Sequence, residues 1–194
     1  MKKSTLIIIA IVAVVLVIFG ASKYNGMVGK EEAVTTAWSN VETQYQRRAD
    51  LIPNLVSTVK GYAAHEQNTL QGVVEARSKA TQIKLDPTDL TEENLKKYQE
   101  AQGAVSSALG RLLMIQEQYP DLKANEQFSA LQVQLEGTEN RIAESRRVFN
   151  NTVQDYNTAI RRFPTNIFAG IMGFDKKAKF EAAEGAEKAP EVKF

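Results

Sequence analysis

The feature that most constrains this chain is an uninterrupted apolar run near its N-terminus. The residues from Leu6 to Ala21 read LIIIAIVAVVLVIFGA and carry no charge. As a helix this run is about 24 Å long, and Ser4 to Ser22 spans about 28 Å, close to the thickness of a hydrocarbon core. The sequence therefore predicts an N-terminal transmembrane helix over residues 1–23, with the lipid bilayer as a partner.

A cleaved signal peptide is the alternative interpretation of this run. Signal peptides usually have shorter apolar cores, and their cleavage sites need small residues at positions −3 and −1. Cleavage after Ala21 would place Phe19 at position −3. Because an aromatic ring fits badly there, the pattern favours a retained anchor.

The charges beside the run predict its orientation by a narrow margin. Lys2, Lys3 and the amino terminus precede it, whereas Lys23 and Lys30 follow it. The positive-inside rule then places the N-terminus in the cytoplasm by about one charge. The sequence predicts a single-pass protein whose main domain lies outside the cytoplasm.

Beyond the anchor, apolar residues recur three and four positions apart, as they do along one face of a helix. They include Trp38, Val41, Tyr45, Ile52, Leu55, Val59, Leu95, Tyr98, Val105, Leu109, Leu112, Phe128, Leu131, Leu135, Ile142, Phe149 and Tyr156. No segment alternates apolar and polar residues as a half-buried strand would. We therefore expect an all-α domain over residues 24–174, followed by a polar, loosely ordered tail over residues 175–194.

Pro53 determines how many helices this domain contains. It lacks an N–H and clashes with the carbonyl of Ala49, so it either kinks one long helix or begins a new helix after a reversal. With a reversal, four helices of similar length can lie side by side, over 28–49, 53–83, 92–119 and 125–163. We predict this antiparallel up-and-down four-helix bundle, with three long helices and a kink at Pro53 as the alternative.

Composition excludes several kinds of chemistry. The chain has no Cys, and His65 is its one His, so Cys-ligated metals and sites that need two histidines are excluded. His65-Glu66 resembles part of a zinc-protease motif, but Thr69 occupies the position of its second His. Lys and Arg number 24 against 23 Asp and Glu, and this balance gives no basis for a nucleic-acid partner. We predict no cofactor, metal or catalytic residue.

The first candidate site surrounds Pro53 in sequence and consists of Arg47, Arg48, Asp50 and Asn54. Arg48 falls on the apolar stripe, where an unpaired charge is costly. The structural interpretation is a partly buried ion pair of Arg48 with Asp50, Glu139 or Glu144, and a capping or turn role for Asn54. The functional interpretation is an anion-binding turn.

The second candidate site is a short apolar stretch late in the chain, with Ile167, Phe168, Ile171, Met172 and Phe174 as its large side chains. Eight residues cannot span a bilayer, so we expect either a lid over the end of the bundle or a membrane or partner contact. A reversal at Pro53 would place the stretch beside the bilayer. A mere kink would place it at the far tip.

The sequence from Tyr45 to Glu66, YQRRADLIPNLVSTVKGYAAHE, resembles the central signature of the LemA family. Further similar positions lie on both sides of it, including Trp38, Glu75-Ala76-Arg77, Glu139-Asn140-Arg141-Ile142, Tyr156-Asn157, Phe163-Pro164 and the end from Ala189 to Phe194. The resemblance implies a one-span membrane protein with an antiparallel helical bundle. It implies no catalytic activity.

Three functions compete at this point. We predict a membrane-anchored, non-enzymatic helical scaffold or interaction protein of the bacterial cell envelope, with a membrane or envelope protein as its partner. The alternative is a sensor or binding module for a small anionic ligand or peptide. A hydrolase that uses only carboxylates is the least favoured function, because no pair of acids has an argued geometry.

Overall fold

Helices account for most of residues 3–181, the part of the chain that a computed structural model describes. They are α1 (Lys3–Tyr62), α2 (Gln67–Gln82), α3 (Glu92–Met114), α4 (Pro120–Lys123), α5 (Glu126–Arg161) and α6 (Thr165–Met172), with a 3-10 turn over Ile115–Glu117. No β-strand occurs within this range. The prediction of an all-helical chain with one long apolar N-terminal helix is confirmed.

Helix α1 extends from the apolar run into the domain without a break. It has 60 residues and is therefore about 90 Å long. The apolar side chains from Leu6 to Phe19 are exposed, and this helix is long and apolar enough to cross a membrane. From Met27 onward one face of α1 is buried in the domain.

The predicted reversal at Pro53 is wrong, because Pro53 lies inside α1. The chain instead turns at residues 63–66, between α1 and α2. The predicted helix over 53–83 is therefore divided between the last part of α1 and the whole of α2. The alternative with one long kinked helix missed the same turn. The apolar spacing continues from Val59 through Ala63 to Leu70, and so it concealed the change of direction.

A side chain from α2 explains how α1 accommodates Pro53. Proline has no N–H to donate to the carbonyl four residues earlier, which is that of Ala49. The Nε of Arg77 donates to this carbonyl at 2.7 Å. Arg77 therefore replaces the missing backbone donor, and the Pro53 ring itself is exposed.

Contacts along α1 give the directions of its neighbours. Asn125, which caps the N-terminus of α5, contacts Tyr62 of α1. Farther along α5, Glu139 and Phe149 contact the earlier positions Arg48 and Trp38. Helix α5 is thus antiparallel to α1. On α3, Tyr98 contacts Trp38 and Tyr45, while the later Gln102 and Ser106 contact Arg48. Helix α3 is therefore parallel to α1.

The buried apolar residues form two clusters, one toward each end of the domain. Trp38, Tyr98, Phe149 and Tyr156 belong to the cluster nearer the N-terminal run. The other cluster lies nearer the turn at residues 63–66 and includes Leu55, Val73, Leu112, Phe128 and Leu135. Tyr45 belongs to the first cluster and Ile52 to the second. The buried side chain of Arg48 lies between these two clusters.

Residues 175–181, the first part of the tail that we predicted to be loosely ordered, lie along α5. Asn157 bonds both the N–H and the carbonyl of Lys177, at 3.0 and 2.8 Å. Asn150 bonds both groups of Phe180 in the same way, each at 2.9 Å. Phe180 is 6% exposed and packs against Trp38. The polar composition concealed this buried ring, and residues 182–194 lie outside the described residues.

Candidate functional site

Arg48 lies in the interior of the domain, where its positive charge is paired with one carboxylate and its N–H groups have further hydrogen-bond acceptors. Its side chain is 2% exposed. One terminal nitrogen donates to Glu139 Oε1 at 3.0 Å and to Ser106 Oγ at 2.7 Å. The other donates to Gln102, to the backbone carbonyl at 3.1 Å and to Oε1 at 2.6 Å. The ion pair is with Glu139, one of the three acids that the sequence offered, and it leaves this guanidinium committed to internal partners.

The predicted anion-binding turn is not one site. Arg48 points into the domain, whereas Arg47, Asp50 and Asn54 are exposed on the other side of α1. These three line a wide, shallow groove, and Asp50 accepts a hydrogen bond of 2.7 Å from Gln46. The structure therefore separates Arg48 from the residues that flank it in sequence.

A cavity of about 280 Å³ lies beside Arg48, between α1, α2, α3 and the segment after α2. Its polar lining includes Glu42, Tyr45, Gln46, Arg48, Arg77, Thr81, Lys84, Tyr98 and Gln102, and its apolar lining includes Ile52, Ile83, Leu85 and Val105. Sequence reasoning missed this cavity. The one sequence signal for it was the family resemblance at Glu75-Ala76-Arg77. That resemblance gave no indication that the turn between α1 and α2 brings Arg77 into the same cavity wall as Arg48.

Burial perturbs three titratable groups in the cavity wall. It raises the pKa of the Glu42 carboxyl above its ordinary value. It also raises the pKa of the Tyr45 and Tyr98 phenols. Both tyrosines therefore stay protonated at neutral pH and keep a hydroxyl that can donate a hydrogen bond.

Helix α6, the second candidate site, lies against α1 where the apolar run ends. The rings of Phe168 and Phe19 meet edge to face with centroids 5.9 Å apart, and those of Phe174 and Tyr24 are 5.7 Å apart. A Cβ at Gly20 would lie 3.4 Å from the Phe168 ring, an ordinary van der Waals contact, so the two helices meet here at normal packing distance. Phe168 and Phe174 thus fix α6 to α1.

The other three predicted residues of this stretch face outward. Ile167, Ile171 and Met172 are 52%, 78% and 41% exposed, and Phe163 just before α6 is 82% exposed. The sequence predicts a position beside the apolar run only with a reversal at Pro53. Pro53 lies inside α1, and the turn at residues 63–66 brings α6 back to the level of the apolar run instead.

No metal site emerges from this geometry within residues 3–181. No three His, Asp or Glu side chains of that range are close enough together to hold an ion. The remaining polar cluster is the pair of amides, Asn150 and Asn157, that hold residues 175–181. The Lys177 ammonium in that segment pairs with Glu31 of α1 at 3.0 Å.

Comparisons with known proteins find relatives of this chain by sequence. The chain is 30% identical to the magnetosome protein MamQ of Magnetospirillum gryphiswaldense over 175 residues, which cover 81% of this chain and 64% of that protein. It is 29% identical to MamQ 2 of Paramagnetospirillum magneticum over 195 residues, covering 92% and 70%. It is 26% identical to the protein LemA of Metamycoplasma hominis over 160 residues, covering 82% and 69%.

The chain thus spans 64% of the length of the first of these relatives. The profile of the LemA family matches residues 37–194, which contain Arg48, Pro53, Arg77, the cavity and α6. The chain therefore belongs to the LemA family.

Proposed function

We propose that the chain is a membrane-anchored, non-enzymatic scaffold whose first helix is both the membrane span and the central helix of an antiparallel four-helix bundle. The unbroken course of α1 from Lys3 to Tyr62 carries this proposal. A helix without a linker fixes the domain's orientation relative to the bilayer, whereas a flexible linker would leave it free. Helices α2, α3 and α5 complete the bundle around α1.

A rigid α1 holds the end of the domain opposite the membrane span, called the far end, at a fixed distance from the bilayer. From Ser22 to Tyr62 the helix rises about 60 Å, and the turn at residues 63–66 and α4 lie at that end. Glu66 and Tyr119 join these turns through a 3.2 Å hydrogen bond. This end is the part best placed to meet another membrane or envelope protein at a distance from the lipid.

Helix α6 gives the domain a second contact with the bilayer. Phe168 and Phe174 hold it beside the end of the apolar run, and Ile167, Ile171 and Met172 remain exposed at that level. Short apolar helices that lie in the interface bury side chains of this kind among the headgroups. The ammonium of Lys23 lies 5.1 Å from the Phe19 ring centroid, at the same depth as α6. A cation at this depth can pair with lipid phosphates.

Distance measurements between two spin labels test the rigid-scaffold proposal. Labels at Ser22 and His65, on the full chain in lipid nanodiscs, should give one narrow distribution near 60 Å. Insertion of four glycines after Asn25 should broaden it, because the helix is then interrupted before Met27, the first residue of the buried clusters. A broad distribution in the uninterrupted chain would show that the span and the domain move independently.

Crosslinking tests the partner. A photo-reactive side chain at His65 should capture one discrete membrane or envelope protein in intact cells, and the same group at Lys96 on α3 should not. Equal capture at both positions would reject the far end as the contact surface. A pH-sensitive fluorophore at residue 65 tests the side of the membrane. A reading equal to the cytoplasmic pH would contradict the predicted location of the domain outside the cytoplasm.

A further inference from the structure

The cavity beside Arg48 contains an arginine that has no acidic partner. Arg77 is half-buried, and none of the ion pairs among residues 3–181 involves it. Lys84 adds a second cation to the wall, and Glu42 is the one acid among the described residues that line the space. The neighbouring Arg48 is neutralised by Glu139, so the cavity retains a net positive charge.

The geometry of Arg77 prepares it for an anion. Its Nε is bonded to the Ala49 carbonyl that Pro53 leaves without a donor, so the planar guanidinium is held in place before any ligand arrives. Its two terminal nitrogens have no hydrogen-bond partner among residues 3–181 and can act together as a fork. Two parallel N–H donors match the two oxygens of a carboxylate, and a fixed guanidinium loses less entropy on binding than a free one.

The remaining side chains of the cavity wall indicate what the uncharged part of the ligand is like. Ile52, Ile83, Leu85 and Val105 supply apolar surface, and the protonated hydroxyls of Tyr45 and Tyr98 supply neutral donors. A ligand with an apolar body would bury it against these side chains while its charge meets Arg77. The volume of about 280 Å³ lies at the small end of ligand cavities.

We propose that this cavity binds a small organic monocarboxylate, with the carboxylate on the fork of Arg77 and an apolar body against Ile52 and Val105. Inorganic phosphate can meet the guanidinium of Arg77 but has no apolar body to bury against Ile52 and Val105. The site goes beyond the scaffold role and does not depend on it, since it involves neither α6 nor the apolar run. A bound carboxylate would join α1, α2 and α3 through one ligand.

Calorimetric titration of the full chain in nanodiscs tests the site, with empty nanodiscs subtracted. The probes are benzoate and hexanoate, their neutral counterparts benzyl alcohol and hexanol, and inorganic phosphate. Ligands of this size bind with dissociation constants of about 1 mM or tighter when the site is well formed. We expect saturable binding of at least one carboxylate and at least tenfold weaker binding of its neutral counterpart and of phosphate.

Three variants assign the binding to the cavity. Arg77→Lys replaces the fork with one ammonium, which can serve either the Ala49 carbonyl or the ligand, and should weaken carboxylate binding at least tenfold. Thr81→Phe places a ring at the exposed rim without entering the core and should weaken it as well. Arg147→Lys is the matched control, because Arg147 is exposed on α5 and paired with Glu144, and should bind as the unmodified chain does.

Thermal melting of each variant shows that it is folded. Binding of neither carboxylate overturns the proposal. So does equal binding of the neutral counterparts, tighter binding of phosphate than of either carboxylate, or unchanged carboxylate binding in both folded cavity variants. The fluorescence of Trp38, the chain's one tryptophan, gives an independent reading, because its ring lies 5.3 Å from that of Tyr98 in the cavity wall.

Discussion

The hydrogen bond between Arg77 and the Ala49 carbonyl makes a quantitative prediction about Pro53. Ala49 is 8% exposed, so removing its donor leaves a carbonyl with little access to water. An unsatisfied buried group of this kind costs about 1–3 kcal/mol. Arg77→Leu should therefore destabilise the chain by about 2 kcal/mol, and for a protein of this size that lowers the melting temperature by about 4–8 °C.

Pro53→Ala should have the opposite sign. A proline in a helix interior costs about 3 kcal/mol, and alanine restores the N–H that the Ala49 carbonyl lacks. Two terms reduce this gain. Proline restricts the unfolded chain, which is a stabilising effect of about 0.4–1 kcal/mol, and Arg77 already satisfies the carbonyl. We expect a net stabilisation of about 1–2 kcal/mol.

The double variant separates this mechanism from simple loss of packing. With alanine at position 53 the helix supplies its own donor, so the loss of Arg77 should cost about 1–2 kcal/mol less than it does beside Pro53. Thermal unfolding in detergent, followed by far-ultraviolet circular dichroism, measures all four corners of the cycle. Strictly additive effects of the two substitutions would refute the reasoning.

Three further predictions follow from packing. Phe149 is fully buried, so Phe149→Ala should cost about 3–5 kcal/mol, and an unchanged melting temperature would place the ring outside the core. Asn157→Leu removes both hydrogen bonds to Lys177 and should speed proteolysis at residues 175–181, whereas Asn151→Leu, exposed on the same helix, should not. Deleting residues 1–23 should give a soluble helical protein, because the domain's buried clusters begin at Met27; an unfolded product would contradict this.

The helical class was predictable from local periodicity, because residues such as Trp38, Leu55 and Phe149 repeat on one face and are buried as expected. The position of the first turn was not. Pro53 is a strong helix breaker by local rules, but the side chain that compensates for it comes from α2. A tertiary contact of this kind has no signature in the residues around the proline.

The two candidate sites were predictable to different degrees. The outward-facing residues of α6 could be named, since an apolar stretch between Pro164 and Asp175 is visible in composition. The cavity could not, because its lining comes from three helices and the segment after α2, and their alignment depends on the turn at residues 63–66. The ordered segment 175–181 was missed for a similar reason, as its buried Phe180 stands alone among polar neighbours.

Depth measurement in a bilayer tests the central claim, that α1 carries the domain away from the lipid while α6 returns to it. A fluorescent label at Met172 should be strongly quenched by quenchers attached to lipid headgroups. A label at His65, in the turn after α1 and about 60 Å from Ser22, should not be quenched at all. Equal quenching of the two labels, or stronger quenching at His65, would contradict the account.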